Sequence, residues 1–341
     1  MTEKMDLPTT TSPGKGLDVG TANLMATWQD GEGRLITRLQ RNSFIEVKPD
    51  PFTQSMLKRQ KVPYVAHNGS LYVLGADAYG LANIMGREVR RPMSEGLISP
   101  NELDALLVVK LLLESLLGKP RQKDEPVCFS IPAPPAESSQ SVIYHQGVLA
   151  GILRQLGYKP FPINEGLAVI YAELAERDLS GIGLSFGAGM VNACVAYRSV
   201  PAFAFSLTRS GDWIDTSVAN VLGMKPPRVT LMKERGLSLL APKTREEQAF
   251  GIYYRHLITA VVENLKHYHD GQSHAIPDFP EPIDIVCAGG TTLIGGFLEV
   301  FKEEVARVGL PIKIREVRCA PDALSSTARG CLLAAMSGYE V

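Results

Sequence analysis

What most constrains this chain is a device that it uses twice: an apolar strand, a glycine turn and a second apolar strand. The first copy reads GLDVGTAN from Gly16 and runs on into LMATWQDG. The second reads SGIGLSF, turns at Gly187-Ala188-Gly189, and continues as MVNACVAY. A third strand-like run follows each copy: LITRLQRN after the turn Asp30-Gly31-Glu32-Gly33, and PAFAFSLTR in the second half. Three strands joined by short turns predict an antiparallel meander.

After each meander the pattern alternates between helix and strand, which predicts parallel strands with helical crossovers. In the first half, helices are expected over about 101–118, 138–157 and 165–176, with strands PVCFSIPA and KPFPIN between them. In the second half, helical runs are expected over about 212–222, 228–235, 245–269, 296–308 and 321–337, with strands DIVCAGG and IKIREV. The fold class is therefore α/β, with two related lobes and a cleft between them. One continuous doubly wound sheet is the alternative. A length of 341 residues suits two cores. The expected division is a disordered tail at 1–15, a first lobe at 16–165 with a small inserted subdomain at about 43–90, a second lobe at 166–320, and a C-terminal helix at 321–341 returning to the first lobe.

Thirty-five basic residues against 36 acidic ones give a net charge of −1, so nothing points to a nucleic-acid surface or a polybasic membrane patch. The first fifteen residues lack the apolar core of a signal peptide and the pattern of an interfacial helix. The longest apolar run, Leu106–Leu117, carries Lys110 and Glu114 and is too short to span a bilayer. Five cysteines without C-x-x-C spacing fit reduced thiols and a cytoplasmic location; Cys128, Cys194 and Cys287 lie in runs that read as buried strands.

Three segments carry chemistry. In Asp18-Val19-Gly20-Thr21-Ala22-Asn23, Gly20 permits a tight turn that brings backbone N–H groups toward an anion, and Thr21 and Asn23 can add donors. Asp18 would repel phosphate directly and makes most sense holding Mg²⁺ or its waters. In Ser185-Phe186-Gly187-Ala188-Gly189-Met190-Val191, two alternating glycines again allow close approach to phosphate. Each turn read alone could equally be a simple hairpin. The third segment, Ala288-Gly289-Gly290-Thr291-Thr292, ends an apolar strand where a ligand crevice can form; close strand–helix packing is the other reading.

In this order the three segments resemble the phosphate-1, phosphate-2 and adenosine motifs of the actin-like ATPase superfamily, which includes actin, MreB and the DnaK-type chaperones. DVGTAN and RPMSEGLIS at Arg91–Ser99 resemble MreB most, and AGGTT resembles actin. The resemblance covers nearly all of the chain from Gly16 and implies ATP with Mg²⁺ between the lobes. It implies that Gly20, Thr21, Ala22, Asn23, Ser185, Gly187, Ala188, Gly189, Gly289, Gly290 and Thr291 line the nucleotide. Gly211-Asp212 resembles the family's G-D after the third strand of the second lobe. Lys233-Glu234 resembles the pair bordering the nucleoside, although a Lys-Glu on a helix commonly marks a solvated face. Asn164-Glu165-Gly166 resembles the segment whose Glu orients the attacking water; an N-terminal helix Glu satisfying the dipole is the other reading of Glu165. Gly330 resembles a small residue at the interlobe hinge.

Two departures stand out. The family's Asp at the first position of phosphate-2 is here Ser185, which weakens the case for hydrolysis more than the case for binding. The stretch between Asp212 and Ala288 shows helical runs and no set of strands, so the small subdomain of the second lobe is expected to be reduced or missing. His267, His269, Asp270 and His274 have metal-ligand chemistry but loop composition and no second cluster to close a site. The resulting expectation is an ATP-binding cytoskeletal protein that self-associates into filaments and hydrolyses slowly, with an unknown protein partner. The alternatives are a non-filamentous nucleotide-switched factor, chaperone-like or reactivating, and an actin-fold scaffold that has lost hydrolysis.

Overall fold

The computed structural model describes residues 14–136, 142–271 and 279–338. The first lobe opens with β1 (Lys15–Val19), β2 (Asn23–Gln29) and β3 (Leu35–Arg41), an antiparallel meander. An insertion follows: β4 (Phe44–Val47), α1 (Pro51–Arg59), β5 (Tyr64–His67), β6 (Ser70–Leu74) and α2 (Ala76–Met85). Its three strands pair in the order β4-β6-β5 around a small core of their own, with Ile45, Leu57, Val73 and Leu81 at its centre. Asp50 caps α1 by accepting the Thr53 N–H at 2.9 Å.

The chain then makes a hairpin of β7 (Met93–Ser94) and β8 (Leu97–Ile98) and enters α3 (Ala105–Leu117). Next come β9 (Glu125–Ile131), α4 (Val142–Gln155) and β10 (Tyr158–Asn164). β9 lies parallel to β1, and β10 lies parallel to β9, so the sheet order is β10-β9-β1-β2-β3. The apolar stripe of α3 (Val108, Val109, Leu112, Leu113, Leu116) packs on Leu17, Leu24 and Ala26 of this sheet.

α5 (Glu165–Glu173) leads into the second lobe: β11 (Gly181–Phe186), β12 (Val191–Tyr197), β13 (Val200–Leu207), α6 (Gly211–Leu222), α7 (Pro226–Glu234), α8 (Arg245–Gly271), β14 (Ile283–Ala288), α9 (Phe297–Val308), β15 (Ile314–Cys319) and α10 (Ser326–Met336). Its sheet order, β13-β12-β11-β14-β15, repeats that of the first lobe strand for strand. The two-lobe α/β architecture read from the repeated device is the one observed. Among the described residues between Leu207 and Ile283 there is no strand beyond a single bridge from Ser238 to Gly295, so the second lobe's insertion is helical.

Several boundaries moved. Lys15 already belongs to β1 and is buried, one residue inside the stretch expected as tail; residues 1–13 lie outside the described residues. α3 starts at Ala105 because Asn101–Asp104 form turns. The segment HYHDG, of loop composition, is the last turn of α8, which ends at Gly271 rather than at about 269. Tyr268 holds it there, its ring 4.8 Å from Phe205 and nearly parallel to it, so tertiary packing overrides polar composition. His274 lies outside the described residues. Among those described, no group of three or more His, Cys, Asp or Glu side chains gathers as a metal site.

The lobes join through two crossed helices. α10 packs on β1 and β9 of the first lobe and on α5. α5 in turn packs on β11 and β12 of the second. A Cβ on Gly330 would sit 1.8 Å from the Ala168 carbonyl oxygen, so only glycine permits this crossing. Glu173 at the end of α5 is held by Arg318 of β15 and by Arg329 and Ser326 of α10. The apolar core around the crossing includes Cys128, Leu167, Ile170, Cys194, Val286 and Cys331.

Candidate nucleotide cleft

The two glycine turns face each other across the lobes. The first spans Val19 to Asn23 and is closed by the Gly20 N–H donating to the Asn23 carbonyl at 3.0 Å. Asn42, wholly buried, pins its outer side: the Asn42 side chain donates to the Gly20 carbonyl and its backbone N–H to the Ala22 carbonyl, both at 2.9 Å. In the second turn the Gly187 carbonyl accepts from Gly211 N and from the Thr291 hydroxyl. The Ala188 carbonyl accepts from Asp212 N at 2.8 Å and from the Ser210 hydroxyl.

This arrangement sets the polarity of both turns. No peptide bond among the described residues is cis, and in a trans peptide the N–H points opposite to the C=O. With the Gly20 and Ala22 carbonyls turned toward Asn42, the N–H groups of Thr21 and Asn23 point the other way. With the Gly187 and Ala188 carbonyls turned toward α6 and Thr291, the N–H groups of Ala188 and Gly189 point away from them. Two small sets of backbone donors result, the arrangement that receives an anion.

The floor is tight. Gly189 lies against Thr21 so closely that an added Cβ would fall 2.1 Å from the Thr21 hydroxyl oxygen. The Gly96 N–H, from the β7–β8 turn, donates to that same hydroxyl at 3.0 Å. One glycine and one threonine therefore bring the lobes into contact beneath the two turns.

Beside this contact stand two acids from different lobe elements. Asp18 is the penultimate residue of β1 and accepts a hydrogen bond from the Ser130 hydroxyl at 3.0 Å; it keeps some exposure. Glu165 is the first residue of α5, where Asn164 caps the helix by accepting the Leu167 N–H at 3.2 Å. Burial pushes the Asp18 carboxyl up to about 6. Burial first, and then the Asp18 charge, push Glu165 up to about 8, while donors on Ser185 and Asn192 pull it back. Among the described residues no basic side chain offsets either acid. Two buried carboxylates without a counter-cation suit a divalent ion, and Mg²⁺ bound by one or two carboxylates keeps most of its waters. Donors for phosphate and acids for a hydrated cation thus occur side by side, so the residues present fit Mg²⁺ with a nucleoside phosphate.

The remaining expected positions have defined places. Ser185, the penultimate residue of β11, faces Glu165, leaving two acids here rather than three. Gly211 and Asp212 open α6, and Asp212 pairs with Arg91 of the first lobe at 2.9 Å across the cleft. Lys233 is engaged by Asp215 at 2.6 Å, within its own lobe. Glu234 pairs with Arg41 of the first lobe at 3.3 Å. Lys233 is thus engaged within its own lobe, while Glu234 stays exposed and reaches across to the first lobe. Gly289, Gly290 and Thr291 follow β14, and the Gly289 N–H donates to the Ala323 carbonyl at 2.7 Å, just ahead of α10.

Four functional neighbours escaped the sequence reading: Asn42, Arg91, Ser130 and Asn192. Asn192 had a signal, a single amide inside the apolar strand VNACVAY. It is wholly buried, its Oδ1 accepts the Ala133 N–H at 2.9 Å, and its Nδ2 has no partner at ordinary hydrogen-bond geometry although it faces Glu165. An unmade bond on a buried amide costs roughly 1–3 kcal/mol.

Comparison with known proteins bears on this geometry. The family model described as Volactin matches residues 14–335. No curated protein matches the sequence. Among solved structures, a MamK double helical filament aligns with TM-score 0.71 at 19% identity, over 96% of this chain and 99% of that one. MreB5 of Spiroplasma citri bound to AMPPNP aligns with TM-score 0.67 at 16% identity, over 96% of each chain. The ethanolamine utilization protein EutJ from Carboxydothermus hydrogenoformans aligns with TM-score 0.55 at 15% identity, over 96% of this chain and 91% of that one. At these identities the likeness shows the fold, which is actin- and MreB-like.

Proposed function

The chain belongs to the Volactin family, and from that premise we propose that it is an actin-like protein that binds ATP with Mg²⁺ between its lobes and self-associates into filaments in the cytoplasm. The observation that carries the reading is the pairing of Asp18 with Glu165, two acids without a counter-cation beside two turns of backbone donors. The proposed division keeps a first lobe over 16–165, a second over 166–320, and α10 returning to the first. Filament formation draws support from the likeness to the MamK double helical filament, and nucleotide binding from the AMPPNP-bound MreB5 structure.

In this reading Gly20, Thr21, Ala22 and Asn23 hold the phosphates from one side and Gly187, Ala188 and Gly189 from the other. Asp18 orients the waters of the cation. Bound Mg²⁺ supplies charge neutralisation at the phosphates. Glu165 holds and accepts a proton from the reacting water, and its raised pKa keeps it partly protonated until the cation arrives. Ser185 contributes a hydroxyl where a third carboxylate would strengthen metal binding, so hydrolysis is slow. Gly289, Gly290 and Thr291 border the nucleoside. Arg91–Asp212 and Arg41–Glu234 favour the closed cleft.

Sedimentation and electron microscopy of the purified protein with and without Mg·ATP test the reading. Polymer that forms with nucleotide and is lost in EDTA is expected; no polymer under any nucleotide condition refutes filament formation. That outcome would favour a nucleotide-switched, non-filamentous factor, a reading to which the helical insertion of the second lobe also lends weight. ATP turnover that Glu165→Ala abolishes would rule out a scaffold that has lost hydrolysis.

A further inference from the structure

Ser185, Asn192 and Ser206 lie in register on β11, β12 and β13 and form a polar row across three otherwise apolar strands. Their exposures are 5%, 0% and 0%. Buried polar groups persist where they have partners, and this row finds them outside its own sheet. Ser185 acts on Glu165. The Ser206 hydroxyl donates to the Ala133 carbonyl at 2.8 Å, its N–H donates to the Pro134 carbonyl at 3.1 Å, and its carbonyl accepts the Ala136 N–H at 2.9 Å. The segment Pro132-Ala133-Pro134-Pro135-Ala136 continues from β9, so a strap of the first lobe is bonded to the second.

Asn192 sits in the middle of the row. Ala133 N can only donate, so the Asn192 oxygen must face it, and the amide nitrogen must face the other way. That direction leads to Glu165. One side chain thus bonds the interlobe strap with its acceptor and turns its unpaired donor toward the Glu165 carboxylate.

The geometry points to Asn192 as a positioning residue that couples Glu165 to closure of the lobes. With the strap docked, the Ala133 N–H fixes the amide and turns its donor toward Glu165 and any water held there. With the strap released, the amide is free to rotate and the donor is lost. This inference rests on the nucleotide reading proposed above.

The strap reports its own docking, because three of its five residues are prolines and its only amides are Ala133 and Ala136. Both donate to the second lobe. The test combines hydrogen exchange of that peptide, AMPPNP affinity by calorimetry, and ATP turnover, on wild type, Asn192→Asp, Asn192→Ala and Ser206→Ala. Asn192→Asp keeps the acceptor and replaces the donor with an acid. It should leave strap exchange within about twofold of wild type and lower kcat roughly tenfold or more. Asn192→Ala should lower kcat and also speed strap exchange. Ser206→Ala, which leaves the cleft acids and Asn192 in place, should speed strap exchange and lower kcat at unchanged KM.

Wild-type kcat in Asn192→Asp overturns the inference, as does unchanged kcat in Ser206→Ala despite faster exchange. Wild-type protein that binds AMPPNP but does not turn over ATP overturns it too, leaving the nucleotide reading intact. Wild-type protein that binds no AMPPNP overturns the nucleotide reading itself.

Discussion

Glu165→Gln should make the nucleotide-free protein more stable at alkaline pH, and the structure gives the size of the effect. Glu165 is held at about 8 in the fold against 4.5 for the unperturbed group. Between those values the unfolded chain has released the proton and the folded chain still holds it, so stability falls as pH rises. The loss is complete above the folded value. At about 1.4 kcal/mol per pKa unit, the shift sets a ceiling of ~5 kcal/mol. Water entering the cleft and sharing of the titration with Asp18 reduce this to roughly 2–4 kcal/mol. Glutamine keeps the shape and removes the charge. Urea denaturation in EDTA at pH 5, 7 and 9 should show the wild-type midpoint falling while that of the variant changes much less. Saturating Mg·AMPPNP should remove most of the wild-type decline. A wild-type midpoint that is flat from pH 5 to 9, or a variant that declines in parallel, would refute the buried acid pair.

Three further outcomes are expected. Gly330→Ala places a Cβ 1.8 Å from the Ala168 oxygen, so α10 must shift and the unfolding free energy should fall by at least the ~1–3 kcal/mol typical of overpacking; an unchanged thermal midpoint counts against the close crossing. Ser185→Asp adds a third acid beside Glu165; calorimetry should find Mg²⁺ bound at least about tenfold more tightly in the presence of ADP, with lower stability at pH 8 in EDTA, and unchanged Mg²⁺ affinity would contradict the placement. Arg91→Ala cuts a half-exposed ion pair worth roughly 0–1 kcal/mol, so stability should barely change while scattering at low salt shows a more open particle; a loss above about 2 kcal/mol would show that the residue does something else.

The sequence makes much of this legible because the governing features are local. The strand–turn–strand devices, the helix cap at Asn164 and the glycines of the turns are all short-range patterns. What escaped depends on register. Asn42 acts on Gly20 and Ala22 because β3 returns antiparallel to β2, and nothing near Asn42 in the sequence announces that. Arg91 and Asp212 meet only when two lobes close. Lys233 fits the pattern of a nucleoside contact, yet the nearer Asp215 takes it. Asn192 and Ser206 did leave a trace, each being a polar residue inside an apolar strand, where an uncompensated polar group is costly.

The crossing of α5 and α10 also bears on the order in which the molecule can be made. β1 leaves the ribosome ahead of every other element of the two lobes, and its Gly16 is covered by α10 at Ala328 and Leu332, which come after the other elements of the second lobe. The first lobe cannot be finished while it is being synthesised; it must wait, with one face of its sheet and all of α5 uncovered, until the other lobe has been made. A chain shortened before α10 would lose the cover of both, leaving two half-cores without a joint. Such long-range closure is slow. It also means that a newly made chain acquires the geometry of its cleft as one of its last folding steps, so premature capture of ligand or of neighbours on the ribosome is suppressed by topology alone.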